Sequence, residues 1–227
     1  MVNKILTFLF CISCLFVESV NAKPSTGIRV VVFDFGGVIA QANTTQMSDF
    51  LMNSFAINKE DLSKALREMQ NFISSGGSEK QYWEQYALSK KVILPNNWLD
   101  QWDDTIQKSI TEIPETIAIV KALQKEGYQT GMLSDVTQYQ AEVIRKLGFY
   151  DLFNPVLLSY EIGVKKPNAK AFKILLKTLQ EPASNVLFID DRQENVESAK
   201  NLGIDSIQFI SPEQLKNELE KRGFGLA

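Results

Sequence analysis

The chain has 227 residues, of which 44% are hydrophobic and 22% charged, and its formal net charge is −3. Such a composition belongs to a globular protein able to bury a sizeable core, and the slight acidic excess argues against nucleic acid or another polyanion as partner. The chain contains no histidine. That excludes Ser/His/Asp and Cys/His catalysis, His-ligated zinc and histidine general bases together, so any chemistry rests on carboxylates, lysine and hydroxyls, with or without a hard metal.

Residues 1–22 differ from the rest. Lys4 is followed by the apolar run ILTFLFCISCLFV and a polar stretch ending Val20-Asn21-Ala22. This reads as a secretory signal cleaved after Ala22. The run of about 13 residues falls short of the ~20 that a spanning helix needs, and Glu18 interrupts it. The alternative is a retained N-terminal anchor helix. The signal reading implies an exported protein, periplasmic or secreted, with no stable membrane anchor after processing. Both cysteines, Cys11 and Cys14, lie inside this segment. The mature chain then has neither a disulfide nor a thiol nucleophile, and a domain of about 200 residues can do without such staples.

After the linker KPSTG, the β-branched and aromatic run Ile28 to Phe33 predicts a strand buried on both faces, ending at Asp34. The interval 41–113 then reads as all helix. Leu62, Ala65, Leu66, Met69 and Phe72 keep helical spacing, Ser78 to Gln81 resembles a capping box, and Trp98, Trp102 and Ile106 form a second apolar face. An insertion of this size after the first strand predicts a helical cap domain, with residues 23–40 and 114–227 forming the core domain. Further apolar runs follow at Tyr128 to Leu133, Pro155 to Leu158 (weaker), Val186 to Ile189 and Ser206 to Ile210. Between them lie one-sided helical patterns at Glu115 to Glu126 and Ala169 to Leu179. Gly127, Gly148, Gly203 and Gly223 each sit where a left-handed helix C-cap is expected. The alternation βαβα implies a mostly parallel sheet covered by helices, with functional loops at the carboxyl ends of its strands.

The residues able to do chemistry stand at those ends: Asp34 followed by Phe35-Gly36-Gly37, Ser134-Asp135, Lys166 before Pro167, and Asp190-Asp191 with Asn195 one helical turn beyond. Taken singly, each has an ordinary explanation as a turn residue, a surface charge or a helix cap. Together they would converge on one edge of the sheet. Converging carboxylates raise one another's pKa unless a cation compensates, and an oxygen-only ligand set without imidazole or thiolate points to Mg²⁺. Lys166 and the hydroxyl and backbone donors near Ser134 would hold the oxygens of a phosphate.

In order and spacing, VVFDFGGVI, MLSD, SYEIGVKKPNAKAF and VLFIDDRQENVESAKNLGI resemble the four motifs of the haloacid dehalogenase superfamily, in the branch with a helical cap after the first motif. The resemblance covers essentially the whole mature chain. It implies an α/β fold, a Rossmann-like parallel-sheet core with an inserted α-helical cap domain, and a phosphatase-like hydrolase acting on a small-molecule phosphate ester. It makes Asp34 the nucleophile that forms an aspartyl-phosphate. Ser134, Asp135, Lys166 and Asn195 become the substrate side, with Lys166 also offsetting charge around Asp34 and Asn195 orienting the acidic loop. Asp34, the Gly36 carbonyl, Asp190 and Asp191 become the metal site. Two positions depart from the pattern: Gly36 stands where a general acid usually lies, and Asp135 where asparagine is more usual. Loss of a positioned acid costs about 10² to 10⁴ in rate, so a cap residue, water or a good leaving group must fill the gap. Two other readings remain open. One is a dehalogenase that displaces halide from carbon, against which the pair Asp190-Asp191 argues; the other is a non-catalytic phosphate-binding protein. In the cap, Trp83, Trp98 and Trp102 suit either substrate stacking or the core.

Overall fold

The computed structural model describes residues 27–226; the expected secretory signal at 1–22 and most of the linker lie outside the described residues. Five parallel strands form the central sheet in the order β5-β4-β1-β6-β7. They are β1 (Val30–Phe33), β4 (Gln129–Ser134), β5 (Val156–Leu158), β6 (Val186–Asp190) and β7 (Asp205–Gln208). The connections are helical: α5 (Pro114–Lys125), α6 (Gln138–Lys146), α7 (Ser159–Ile162), α8 (Ala169–Leu179), α9 (Gln193–Lys200) and, last, α10 (Pro212–Lys221).

β1 explains the continuous apolar run. Successive side chains of a strand point to opposite faces, and here both faces are covered. Val31 and Phe33 pack with Val120 and Leu123 of α5 and Leu215 and Leu219 of α10. Val30 and Val32 pack with Phe172 and Leu175 of α8 and Ala199 of α9. With β1 central, the chain fills one side of the sheet (β4, β5) before crossing to the other (β6, β7). The strand order therefore reverses at β1, and the crevice at its carboxyl end is where such sheets bind ligands. The four glycines expected at helix C-caps all have positive φ, from 77° to 87°.

Residues 41–113 depart from the all-helix expectation at both ends. β2 (Ala40–Ala42) and β3 (Ile110–Glu112) pair as an antiparallel ribbon, Ala40 opposite Glu112 and Ala42 opposite Ile110. Further backbone bonds from Ile113 N to Ile39 O and from Asn43 N to Ser109 O prolong the ribbon. A three-residue strand is too short to show a period of two, so composition could not reveal it. Between the two strands run α1 (Thr44–Phe55), α2 (Lys59–Ser74), α3 (Glu79–Lys90) and α4 (Trp98–Ser109). Their shared core holds Leu51, Phe55, Leu62, Met69 and all three tryptophans, each at most 4% exposed for Trp83, Trp98 and Trp102. The Phe55 and Trp83 rings stack at 5.1 Å and Trp98 and Trp102 at 6.5 Å. Of the two uses open to the tryptophans, the structure takes the packing one. The capping box at the start of α3 is present, with Ser78 and Gln81 bonded reciprocally.

The helical layer rests on α6. Val143 enters its core, Tyr139 donates its hydroxyl hydrogen to Asp103, and the buried Glu79 carboxylate accepts from Thr137 Oγ1 (2.9 Å) and Trp102 Nε1 (3.3 Å).

Candidate active site

Asp34 follows β1 directly, and its N–H donates to Ile189 O at 2.8 Å, so the β1–β6 ladder itself holds the residue in place. The chain then turns sharply, with the amides of Ile39 and Ala40 donating to Phe35 O at 2.9 and 3.1 Å and Gly37 N to Ala40 O at 2.8 Å. Gly37 has φ +77°, and a Cβ there would lie 2.7 Å from Asp191 Oδ2. The left-handed backbone favours glycine, and any Cβ there would force the Asp191 carboxylate to shift. At Gly36 nothing stands within 4 Å of where a Cβ would be, so the missing acid leaves open space.

Lys166 joins the two acidic strand ends. Its ammonium group lies 2.7 Å from Asp34 Oδ1 and 2.6 Å from Asp190 Oδ2, with 1% of the side chain exposed. It also sits over the Phe188 ring, 5.4 Å from the centroid. Its backbone N–H donates to Asp135 Oδ1 at 3.1 Å, which ties the loop after α7 to the end of β4. Asp190 is fully buried; Oδ1 accepts from Arg192 N (2.9 Å), and Asn195 Nδ2 donates to both carboxylate oxygens (2.9 and 3.0 Å). Asn195 thus acts on Asp190, while its own Oδ1 is buried with no partner among the described residues.

Two carboxylates sharing one ammonium leave a net negative charge in a dry place. Burial pushes Asp34 up to about 6, the nearby Lys166 ammonium opposes that rise, and Asp190 adds to it. Burial also works against the charge of Lys166, but Asp34 and Asp190 outweigh it and hold the ammonium above its ordinary range. Burial raises Asp135, and burial with the charge of Asp190 raises Asp191. Oxygens of Asp34, Asp190 and Asp191 lie within 4.8 Å of one another. A hard divalent cation suits this oxygen-only donor set, and Asp191, the exposed member, has the most room for a new ligand.

Ser134 closes β4, buried, beside Asp135. Asp34, Gly36, Ser134, Asp135, Lys166, Asp191 and Asn195 border one cavity of about 350 Å³ between the sheet edge and the helical layer, and Asp190 lies behind them. Arg192 borders it too; its exposed guanidinium pairs with Glu194. Arg192 is not among the candidate residues above, although a cation directly after the acidic pair is a signal that the sequence carries.

A sequence model of the haloacid dehalogenase-like hydrolases matches residues 28–203. The chain belongs to that family and is a phosphatase-like hydrolase within it. Among named relatives, it is 28% identical over 196 residues to the glyceraldehyde 3-phosphate phosphatase of Pyrococcus abyssi, covering 80% of this chain and 81% of that protein. It is 23% identical over 194 residues to a sesquiterpene phosphatase of Aspergillus oryzae, covering 79% and 88%. A haloacid-dehalogenase-family enzyme of Bacteroides thetaiotaomicron superposes with TM-score 0.72 at 19% identity, over 85% of this chain and 98% of that one. The same enzyme in complex with magnesium and inorganic phosphate superposes with TM-score 0.65 at 17% identity, over 79% and 93%.

Proposed function

We propose that this protein is a Mg²⁺-dependent phosphomonoester hydrolase working through an aspartyl-phosphate on Asp34. The carrying observation is the Lys166 ammonium held between Asp34 and Asp190 at the carboxyl edge of the sheet, with Asp191 and Ser134 on the same cavity. The phosphatase relatives and the magnesium–phosphate complex of the Bacteroides enzyme support the same reading. Asp34, Asp190, Asp191 and the Gly36 carbonyl would hold the ion, directly or through water, and bound there it would neutralise phosphoryl oxygens as charge shifts between them.

With a pKa of about 6, Asp34 is ionised at neutral pH. One of its oxygens attacks phosphorus, the ester P–O bond breaks, and its electron pair leaves with the alcohol oxygen. Lys166, the Ser134 hydroxyl and nearby backbone amides hold the phosphoryl oxygens. Because Gly36 carries no acid, the departing oxygen takes its proton from water. A water molecule then attacks the phosphorus of the aspartyl-phosphate, gives up a proton to solvent, releases inorganic phosphate and restores the Asp34 carboxylate. The acidic pair beside Asp34 supports phosphoryl transfer over displacement of halide from carbon.

Purified protein is expected to hydrolyse p-nitrophenyl phosphate with Mg²⁺, and to lose activity on adding EDTA or on Asp34→Asn substitution. Full activity of Asp34→Asn, or release of halide from 2-haloacids without metal, would refute this. We further infer export, with a mature chain starting at Lys23. N-terminal sequencing of extracytoplasmic protein checks it, and an intact Met1 in cytosol rules it out.

A further inference from the structure

Asp34, Asp135, Lys166, Asp191 and Arg192 are the charged residues of the cavity lining, and the rest of its wall carries no charge. From the stem ribbon and helical layer come Ala42, Met47, Ile106 and Ile110, and from the sheet edge and α6 come Val136 and Ile144. Among these stand two neutral polar side chains, Thr44 and Gln140. A sugar or polyol bound here would bring several hydroxyls out of water to a wall offering two partners, and each unpaired hydroxyl weakens binding. An apolar group loses nothing by the same transfer. A second observation concerns the bond that breaks. The space beside Gly36 is open and holds no acid, so a leaving oxygen that is stable without protonation is favoured.

We propose that the substrates are phosphate monoesters of apolar phenols. The aromatic ring lies against the wall formed by Met47, Ile106, Ile110 and Ile144, and the phenolic oxygen leaves as phenolate. A cavity of about 150 Å³ suffices for a benzene ring, so 350 Å³ takes a ring with a short alkyl substituent as well as the phosphate. The inference rests on the phosphatase reading above and deepens it.

The test is a series with nearly constant phenol acidity and growing apolar surface: phenyl, 4-methylphenyl, 4-ethylphenyl and 4-propylphenyl phosphate, with Mg²⁺. Glucose 1-phosphate and n-hexyl phosphate serve as comparisons. We expect kcat/KM to rise about 3- to 10-fold per added carbon until the chamber is filled. Glucose 1-phosphate should lie at least about tenfold below phenyl phosphate, because its hydroxyls find few partners. Hexyl phosphate, apolar but with a poor leaving oxygen, should fall behind in kcat more than in KM. Met47→Gln and Ile110→Thr are each expected to lower kcat/KM for the propyl member about 5- to 20-fold more than for phenyl phosphate. A flat or falling series, glucose 1-phosphate outrunning phenyl phosphate, hexyl phosphate matching it in kcat, or a slope that neither substitution changes overturns the inference. Failure on p-nitrophenyl phosphate overturns the hydrolase reading itself and the inference with it, so the two failures are distinct.

Discussion

Lys166→Met isolates the ionic arrangement at the centre of the site, because methionine keeps much of the stem volume and removes the ammonium. The two contacts at 2.7 and 2.6 Å are lost together, and Asp34 and Asp190 then face one another without a cation. Removing one partner of a buried ion pair typically costs about 3–5 kcal/mol. For a domain of this size that is a drop of roughly 10 °C in melting temperature. The loss has a definite pH dependence. Asp34 already titrates near 6, above its unfolded value of 3.8, so the native state binds more protons than the unfolded state between those limits and stability falls as pH rises through that window. Without Lys166 the folded value moves higher still, and the window extends upward. Chemical unfolding of both proteins in metal-free buffer at pH 5.0 and pH 7.5 provides the assay. The difference should be largest at pH 7.5, should narrow at pH 5.0 where a proton replaces the ammonium, and should shrink when millimolar Mg²⁺ is added at pH 7.5. Equal stability of the two proteins at pH 7.5, or a difference independent of pH, would show that the ammonium does not compensate the two carboxylates.

Three further outcomes are expected. Activity should fall on acidification as Asp34 protonates, with the limb at or below about pH 6 because a bound cation lowers the value further; a kcat/KM profile of Mg²⁺-saturated enzyme with a limb well above 6 would contradict this. Gly37→Ala should weaken Mg²⁺ binding about tenfold or more, since its Cβ meets Asp191 Oδ2 at 2.7 Å and φ is +77°, and calorimetric titration measures it; unchanged affinity would mean that Asp191 is not a ligand. Glu79→Gln should remove a pH-dependent loss of stability. Burial raises the Glu79 pKa despite its hydrogen bonds from Thr137 and Trp102, and no salt bridge reaches it among the described residues. The wild type should therefore lose more stability than the variant between pH 4.5 and 8, and parallel unfolding curves would refute that.

The sequence by itself determined the elements whose signal is local. β1 was legible because a strand buried on both faces must be apolar at every position, and α8 because Phe172, Leu175 and Leu176 return at helical spacing. Asp34, Ser134 and Asp190 were legible as strand-end residues for the same reason, and the absence of histidine narrowed the chemistry before any of them was located. What the tertiary structure decided depends on contacts between distant parts of the chain. Lys166 meets Asp34 across 132 positions and Asp190 across 24, and only the strand order around β1 gives one ammonium two carboxylates. The pairing of β2 with β3, too short for a period, closes the helical layer into a unit with its own core, and that core claimed the three tryptophans. The link from Glu79 to Thr137 spans 58 positions and carries no motif. The apolar wall opposite the phosphate end came from six residues scattered over β2, β3, α1, α4, α6 and the loop between β4 and α6, each an ordinary apolar residue until the fold turned it toward the cavity. Periodicity reports which face of an element is buried, but only packing decides what that face is buried against.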